Sequence, residues 1–283
     1  MTRQRYSETS NFATCRSNFP PTSLRLKGVA WGLLLSLLCM GCRTADAQSE
    51  SSAGELLQQA EQLLAEQEYA RAAKLADQAG MSTPDAYRVQ QLSAEILYRA
   101  GASKDSLKFF DRALELAPDR APYNWQRGIA LGSSGKFQEG AEQFKTHHDV
   151  NPDDVENSAW YFLCVAKSQS LEAARKTVIP SRGDGRQPMM SILQMLQGKL
   201  EPEQVLSAAQ EATPVGPQRK LAEFYADLYV GLYYDSLNNP EQAQTYLKRS
   251  LTYGIDGYMA DTARVYLADR FPDAISKPQP GAK

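Results

Sequence analysis

From Leu56 to Leu267 the apolar residues return every three or four positions, the spacing of helices that bury one face. Leu56, Leu57, Ala60, Leu63 and Leu64 make the first stripe. Gln67-Glu68 marks a turn, and Tyr69, Ala72, Ala73, Leu75, Ala76 and Ala79 make a partner stripe that stops at Gly80 and Pro84. The two-stripe unit then recurs. Ala94, Leu97 and Tyr98 precede a turn at Gly101, with Leu107, Phe110, Ala113 and Leu114 after it. Trp125, Gly128 and Leu131 precede Gly135, with Phe137 and Phe144 after it. The copies sit on a fixed grid: Pro84-Asp85, Pro118-Asp119 and Pro152-Asp153 are 34 residues apart, as are Gly101 and Gly135, Ala60 and Ala94, Ala79 and Ala113, and Phe110 and Phe144. Small residues at repeated positions let two helices approach closely, so the pattern predicts stacked helix pairs.

Later copies are less regular. An aromatic stretch, Trp160, Tyr161, Phe162, Leu163 and Val165, opens a fourth unit whose second helix, near Ala173-Ala174, is short. The three adjacent rings cannot all face one core, so one of them is expected to fill a groove or meet a partner. A loop from Pro180 to Pro188 follows, containing Arg182-Gly183-Asp184, read as a solvated turn. Met189–Leu196 and Pro202–Ala212 form a shorter fifth unit, with Pro202 tolerated in a first helical turn. The sixth recovers the motif with Val230, Gly231, Tyr234, Ala243, Leu247 and Leu251. Tyr258–Phe271 is predicted as a last amphipathic helix that caps the exposed apolar face of the stack. A 34-residue helix-turn-helix period closed by proline is that of the tetratricopeptide repeat. The expected fold is therefore all-α, a right-handed α-solenoid of that type, with repeats at 53–86, 87–120, 121–154, 155–188, 189–216 and 217–257 and a cap at 258–271.

The N-terminus is of another kind. Residues 28–41 are apolar behind Arg25 and Lys27, the layout of a secretory signal and short for a membrane span. Residues 1–47 thus read as a signal with an N-terminal extension, 48–52 as a polar tether, and the proline-bearing 272–283 as a disordered tail. Two processing routes fit. Gly41-Cys42 resembles the end of a lipobox, although Cys39 stands where that motif has an aliphatic residue; Cys42 would then carry lipid and anchor the chain to a membrane. Ala45-Asp46-Ala47 instead offers a cleavage site releasing a soluble protein at Gln48. Either route places the chain in the periplasm or cell envelope.

Charge excludes one class of partner. The whole chain carries −2, and beyond residue 47 there are 25 basic against 31 acidic residues, about −6, with no basic footprint for nucleic acid. No H-E-x-x-H, G-x-S-x-G or phosphate-loop motif occurs, so no catalytic residue, metal or cofactor is expected. His147 and His148 are neighbours, about 100° apart on a helix, and do not converge on one ion. Cys164, the one thiol beyond the leader, reads as a small buried residue. Asp119, Asp153 and Asp154 follow prolines at helix starts and read as caps.

From Asn151 to Leu267, about 40% of the chain, the order of features resembles a family of envelope tetratricopeptide lipoproteins. The shared features are the Asn151-Pro152-Asp153 closure, the aromatic helix Ser158–Ala166 and the short helix at Ala173-Ala174. They continue with Ile192, Leu196, Gly198, Leu200 and Pro202-Glu203-Gln204, then Leu221–Leu237 with Tyr225, Tyr229, Gly231 and Tyr234, and finally Asn239–Leu251. Members of that family are adaptors for a tail-specific protease and bind cell-wall hydrolases. The resemblance implies a role of that kind and marks no contact residue.

The expected function is a non-catalytic scaffold or adaptor that holds another envelope protein or a peptide in the concave groove; the alternative is an assembly factor for a secretion, pilus or outer-membrane complex. The first helices of repeats two and three supply the expected groove: Arg88, Gln91, Glu95, Tyr98, Arg99, Trp125 and Ile129. On this reading Tyr98→Ala with Arg99→Ala abolishes partner capture and leaves helicity intact.

Overall fold

The computed structural model describes residues 36–211 and 215–276, with side chains from 49 to 274. The regular elements among them are all helical, and they pair in chain order. The pairs are α1 (Ser36–Ala65) with α2 (Tyr69–Ser82), α3 (Tyr87–Arg99) with α4 (Ser103–Leu116), and α5 (Trp125–Ser133) with α6 (Phe137–His148). They continue with α7 (Val155–Ser168) and α8 (Leu171–Thr177), α9 (Met189–Leu196) and α10 (Pro202–Glu211), and α11 (Pro217–Ser236) and α12 (Pro240–Ser250). Two helices follow, α13 (Tyr258–Arg270) and the single turn α14 (Asp273–Ser276). Short 3-10 turns, Pro118–Tyr123 and Leu251–Tyr253, follow α4 and α12. First helices also meet across pairs, α1 with α3, α5 with α7, α7 with α9 and α9 with α11, a repeat-like packing compatible with an α-solenoid.

The turn inside a pair is the same motif five times over. Gln67, Gly101, Gly135, Gly198 and Asn238 all have positive φ. In each case the next residue's N–H reaches back five positions, as from Ala102 to Leu97 at 2.9 Å and from Lys136 to Leu131 at 2.9 Å. This closure satisfies carbonyls that a helix end leaves free. Position 169, next on the 34-residue grid, is Gln with φ −127°. There α7 ends differently, and Ser170 caps α8 through the Ala173 N–H.

Small residues set the crossing within a pair. A Cβ on Gly128 would lie 2.7 Å from the Phe144 ring, and one on Gly231 would lie 2.8 Å from Leu247. Both partners are 16 positions on, the register that Ala94 and Phe110, each fully buried, also hold.

Several expectations change. Residues 48–52, expected as a tether, have helical backbone within α1. Residues 273–276, expected in a disordered tail, form α14. Cys42 lies on the helical backbone of α1; its side chain, the signal residues before 36 and the tail after 276 lie outside the described residues. Among the described residues no helix is long and apolar enough to cross a membrane. Of the expected caps, Asp154 accepts the Glu156 N–H at 3.1 Å, whereas Asp153 receives Arg182 and Asp119 faces Arg120.

The last long helix, α13, packs across α3, α5 and α12 and buries apolar surface there. Tyr258 stacks on Tyr98 with ring centroids 5.7 Å apart and meets Trp125 edge-on at 4.9 Å, while Tyr266 meets Trp160 at 5.5 Å. Asp261 accepts Arg99 at 2.9 Å, and the Tyr266 hydroxyl donates to buried Asp235 at 2.5 Å. A helix touched from several sides has no single apolar stripe: Met259, Thr262, Ala263, Val265, Tyr266 and Leu267 are all buried.

The close crossing has a testable cost. Gly54→Ala, in an exposed part of α1 with nothing within 4 Å, gains about 0.5–1 kcal/mol of helix propensity. Gly128→Ala forces the Phe144 ring aside and loses about 1 kcal/mol or more despite the same propensity gain. Urea midpoints of the two variants should move in opposite directions; a gain at both would refute the tight crossing.

Candidate functional site

The expected groove is largely filled by the chain itself. Tyr98 is fully buried beneath Tyr258, its hydroxyl 3.1 Å from Ser133. Arg99 is held by Glu61 at 3.0 Å and Asp261 at 2.9 Å. Gln91 donates to Glu95 at 2.8 Å and pairs with Asn124, so both acceptor and donor are engaged within the protein. Burial pushes the Glu95 carboxyl above its ordinary range. Arg88 is exposed. Removing Tyr98 would therefore excavate the core between α3 and α13, so the double substitution expected to spare the fold instead strikes it.

Trp125 and Ile129 lead to a different place. Together with α6, the start of α7, the loop after α8, the start of α11 and Tyr258 and Met259 of α13, they enclose a cavity of about 610 Å³. That is within the usual range of ligand sites. Its wall is mostly rings and aliphatic chains: Trp125, Phe144, Trp160, Leu221, Tyr225 and Tyr258. Trp160 is thus the ring of the aromatic triplet that faces inward, whereas Phe162 turns to Tyr233 of α11 at 6.0 Å.

The polar end is built by the loop from Pro180 to Pro188, whose Arg182 and Gly183 are exposed as a solvated turn would be but whose other side chains latch it onto the start of α7. Ser181 Oγ donates to the Asp153 carbonyl at 2.8 Å, and the Arg182 guanidinium grips the Asp153 carboxylate at 2.9 Å. Asp184, the acidic residue of Arg182-Gly183-Asp184, accepts the Val155 N–H at 3.3 Å, and its side chain is 6% exposed. A carboxylate there suits the free N–H groups and positive end of α7. Arg186 then forks between Asp154 at 2.7 Å, Asp184 at 2.6 Å and Glu156.

Glu156 lines the cavity with both oxygens engaged, Oε1 by Arg186 and Oε2 by the Tyr229 hydroxyl at 2.5 Å. Burial pushes its carboxyl up to about 7 against the pull of the Arg186 guanidinium, with the Asp154 charge adding to the rise. With neither oxygen free, it is badly placed to act as a base toward a ligand. Cys164 is buried and burial pushes its thiol up, away from the reactive thiolate. His147 also lines the cavity, with Nδ1 held 2.8 Å from the Pro122 carbonyl. Among the described residues no group of three or more His, Cys, Asp and Glu is placed to hold a metal.

Three residues of this wall carry buried polar atoms that stand apart. Asn157 is 3% exposed, yet neither its amide nitrogen nor its oxygen finds a hydrogen-bond partner in the protein. The same holds for the indole N–H of Trp160 and the hydroxyl of Tyr258. Buried polar atoms are nearly always paired, and each exception costs roughly 1–3 kcal/mol. Sequence reasoning did not single out Asn157, Glu156 or Arg186. One signal was available: Asn157 shares a helical stripe with Trp160, Tyr161 and Cys164, a carboxamide on an otherwise apolar face.

No protein-family model matches the chain, and no curated protein matches it.

Two outcomes follow from the site. Asn157→Leu, of similar volume, removes the unpaired amide from an apolar wall and should raise stability by about 1 kcal/mol, read from denaturant unfolding. A loss of that size would mean the amide is structurally paired. For Glu156, a carboxyl whose pKa is higher folded than unfolded stabilises fully below its unfolded value, about 4.3, and loses that contribution as pH rises through 7. The stability of the wild type relative to Glu156→Gln should therefore fall between pH 5 and pH 7. A difference that rises with pH would show that the Arg186 pair outweighs burial.

Proposed function

We propose that this protein is a non-catalytic interaction scaffold of the tetratricopeptide type, a right-handed solenoid exported to the bacterial cell envelope, whose cavity between α5, α7, α11 and α13 holds a segment of another envelope protein. The observation that carries this reading is the cavity of about 610 Å³, with a wall of rings and aliphatic chains that includes Trp125, Leu221 and Tyr225 and a polar end at Asp154, Glu156 and Arg186. A mostly apolar wall with a few placed polar groups is the usual make-up of a binding site. Glu156, with both oxygens engaged, is badly placed for catalysis, which favours binding. The resemblance across residues 151–267 points to a protease or a cell-wall hydrolase as client. Export rests on the apolar run at 28–41, with the mature chain starting at lipidated Cys42 or at Gln48.

Photo-crosslinking in the native envelope tests the reading. A photoreactive residue at Gln218, exposed at the cavity mouth, should capture the same protease or hydrolase that Arg88, exposed on α3, does not. Capture at Gln218 should drop when Leu221, a partly buried residue of the cavity wall, is changed to Glu. Equal adducts at both positions, or none at Gln218, would refute the cavity as the docking place. Secretion or pilus subunits as the captured partner would instead identify an assembly factor.

A further inference from the structure

The mouth of the cavity is built unlike its wall. Among the described lining residues only Arg186, Gln187 and Gln218 are exposed, so the mouth lies between the loop after α8 and the start of α11. Two of those three residues belong to the loop. Anything that enters the cavity therefore passes beside Arg186 and Gln187.

The loop is fixed at its ends and held only by polar contacts in its middle. Ile179 is 6% exposed and Met189 is fully buried, which anchors both ends in the core. Between them, residues 180–187 bury no apolar side chain. Their hold on α7 consists of Ser181 on the Asp153 carbonyl, Arg182 on the Asp153 carboxylate, Asp184 under the Val155 N–H, and Arg186 on Asp154 and Glu156. All these partners fall in one run, Asp153–Glu156, so the contacts line up like a closed zip. The Arg182 side chain is 83% exposed and that of Arg186 44%, so water and salt compete for both. On the outer side Gly183 and Gly185 have nothing within 4 Å of where a Cβ would stand, and no wall opposes movement there. Segments with few buried apolar contacts open at a lower free energy than the whole fold.

On the reading of this cavity as the docking place, we infer that residues 181–187 are a strap across its mouth. With Ile179 and Met189 as fixed ends, the strap lifts from the start of α7 as one unit and carries Arg186 and Gln187 out of the entrance. Lids of this kind commit a ligand by closing once it is inside. Arg182 is then a positioning residue. It does not line the cavity and acts on access only by holding the strap down.

Amide exchange in the full-length chain, resolved by NMR, tests the motion. Three amides report on the shut strap: Arg182 N–H on Asp153 at 2.9 Å, Val155 N–H on Asp184 at 3.3 Å and Arg186 N–H on Asp184 at 3.1 Å. Arg182→Gln should speed exchange at positions 155, 182 and 186 together, by about three-fold, and leave Leu163 and Val165 of the α7 core unchanged. Asp153→Asn, from the other side of the pair, should do the same. Acceleration at position 182 alone, or equally in the α7 core, would overturn the strap. Access is read from the rate at which fluorescein maleimide labels Leu221→Cys, a position on the cavity wall. Adding Arg182→Gln should raise that rate about three-fold, in step with the amides. An unchanged rate would overturn the gate, and client capture at Gln218 would then still support the docking place. Faster labelling without any capture at Gln218 would sink the docking role and leave the strap.

Discussion

The architecture depends on where α13 lies. Aromatic contacts run along it, Tyr258 against Tyr98 and Trp125, then Tyr266 against Trp160, and they tie first helices of three different pairs to one rod. Polar contacts fix its position along that line. Asp261 holds Arg99, Arg264 lies over the Tyr69 ring at 3.9 Å, and Tyr266 reaches Asp235. Asp235 is also gripped by Lys167 at 2.9 Å, so α7, α11 and α13 share one buried carboxylate. Helix pairs that contact only their neighbours are joined in a series. A helix that spans several of them adds contacts between residues more than 150 positions apart, as between Arg99 and Asp261, and makes one end sensitive to the other.

This placement explains both what closes and what stays open. On the side of α3 the rings of α13 meet Tyr98 directly and no groove is left. Toward α7 and α11 the wall recedes, because α7 presents Asn157 and Trp160 and the loop bearing Arg186 holds the far side away. The cavity is therefore a product of packing between elements far apart in sequence.

Much of the fold was legible because its causes are local. A stripe period of three and four, a glycine that tolerates positive φ at 101 and 135, and small residues opposite Phe144 and Leu247 each act within a few turns of helix. The grid even locates its own exception, since Gln169 stands where the turn residue should be and α7 ends without the repeated closure. The destination of α13 was not legible. Its apolar residues are spread around the axis, so no single stripe announced which helices it would cover. The same limit applied to Tyr98 and Trp125: as outward positions on first helices they read as a groove, and only the tertiary arrangement shows Tyr258 upon them. For the cavity, the residue types were readable but not their partners. Arg182, Asp184 and Arg186 looked like a hydrophilic turn, and nothing in their spacing says that they reach Asp153, Val155 and Asp154 some thirty positions earlier.

The loop latch and the long helix then bear on the same space from opposite sides. Arg186 fixes the polar end through carboxylates on α7 and on its own loop, while Tyr258 and Met259 close the apolar end from α13. What the two closures leave between them is a mostly apolar space with one charged end, and the proposal of a binding role rests on that combination.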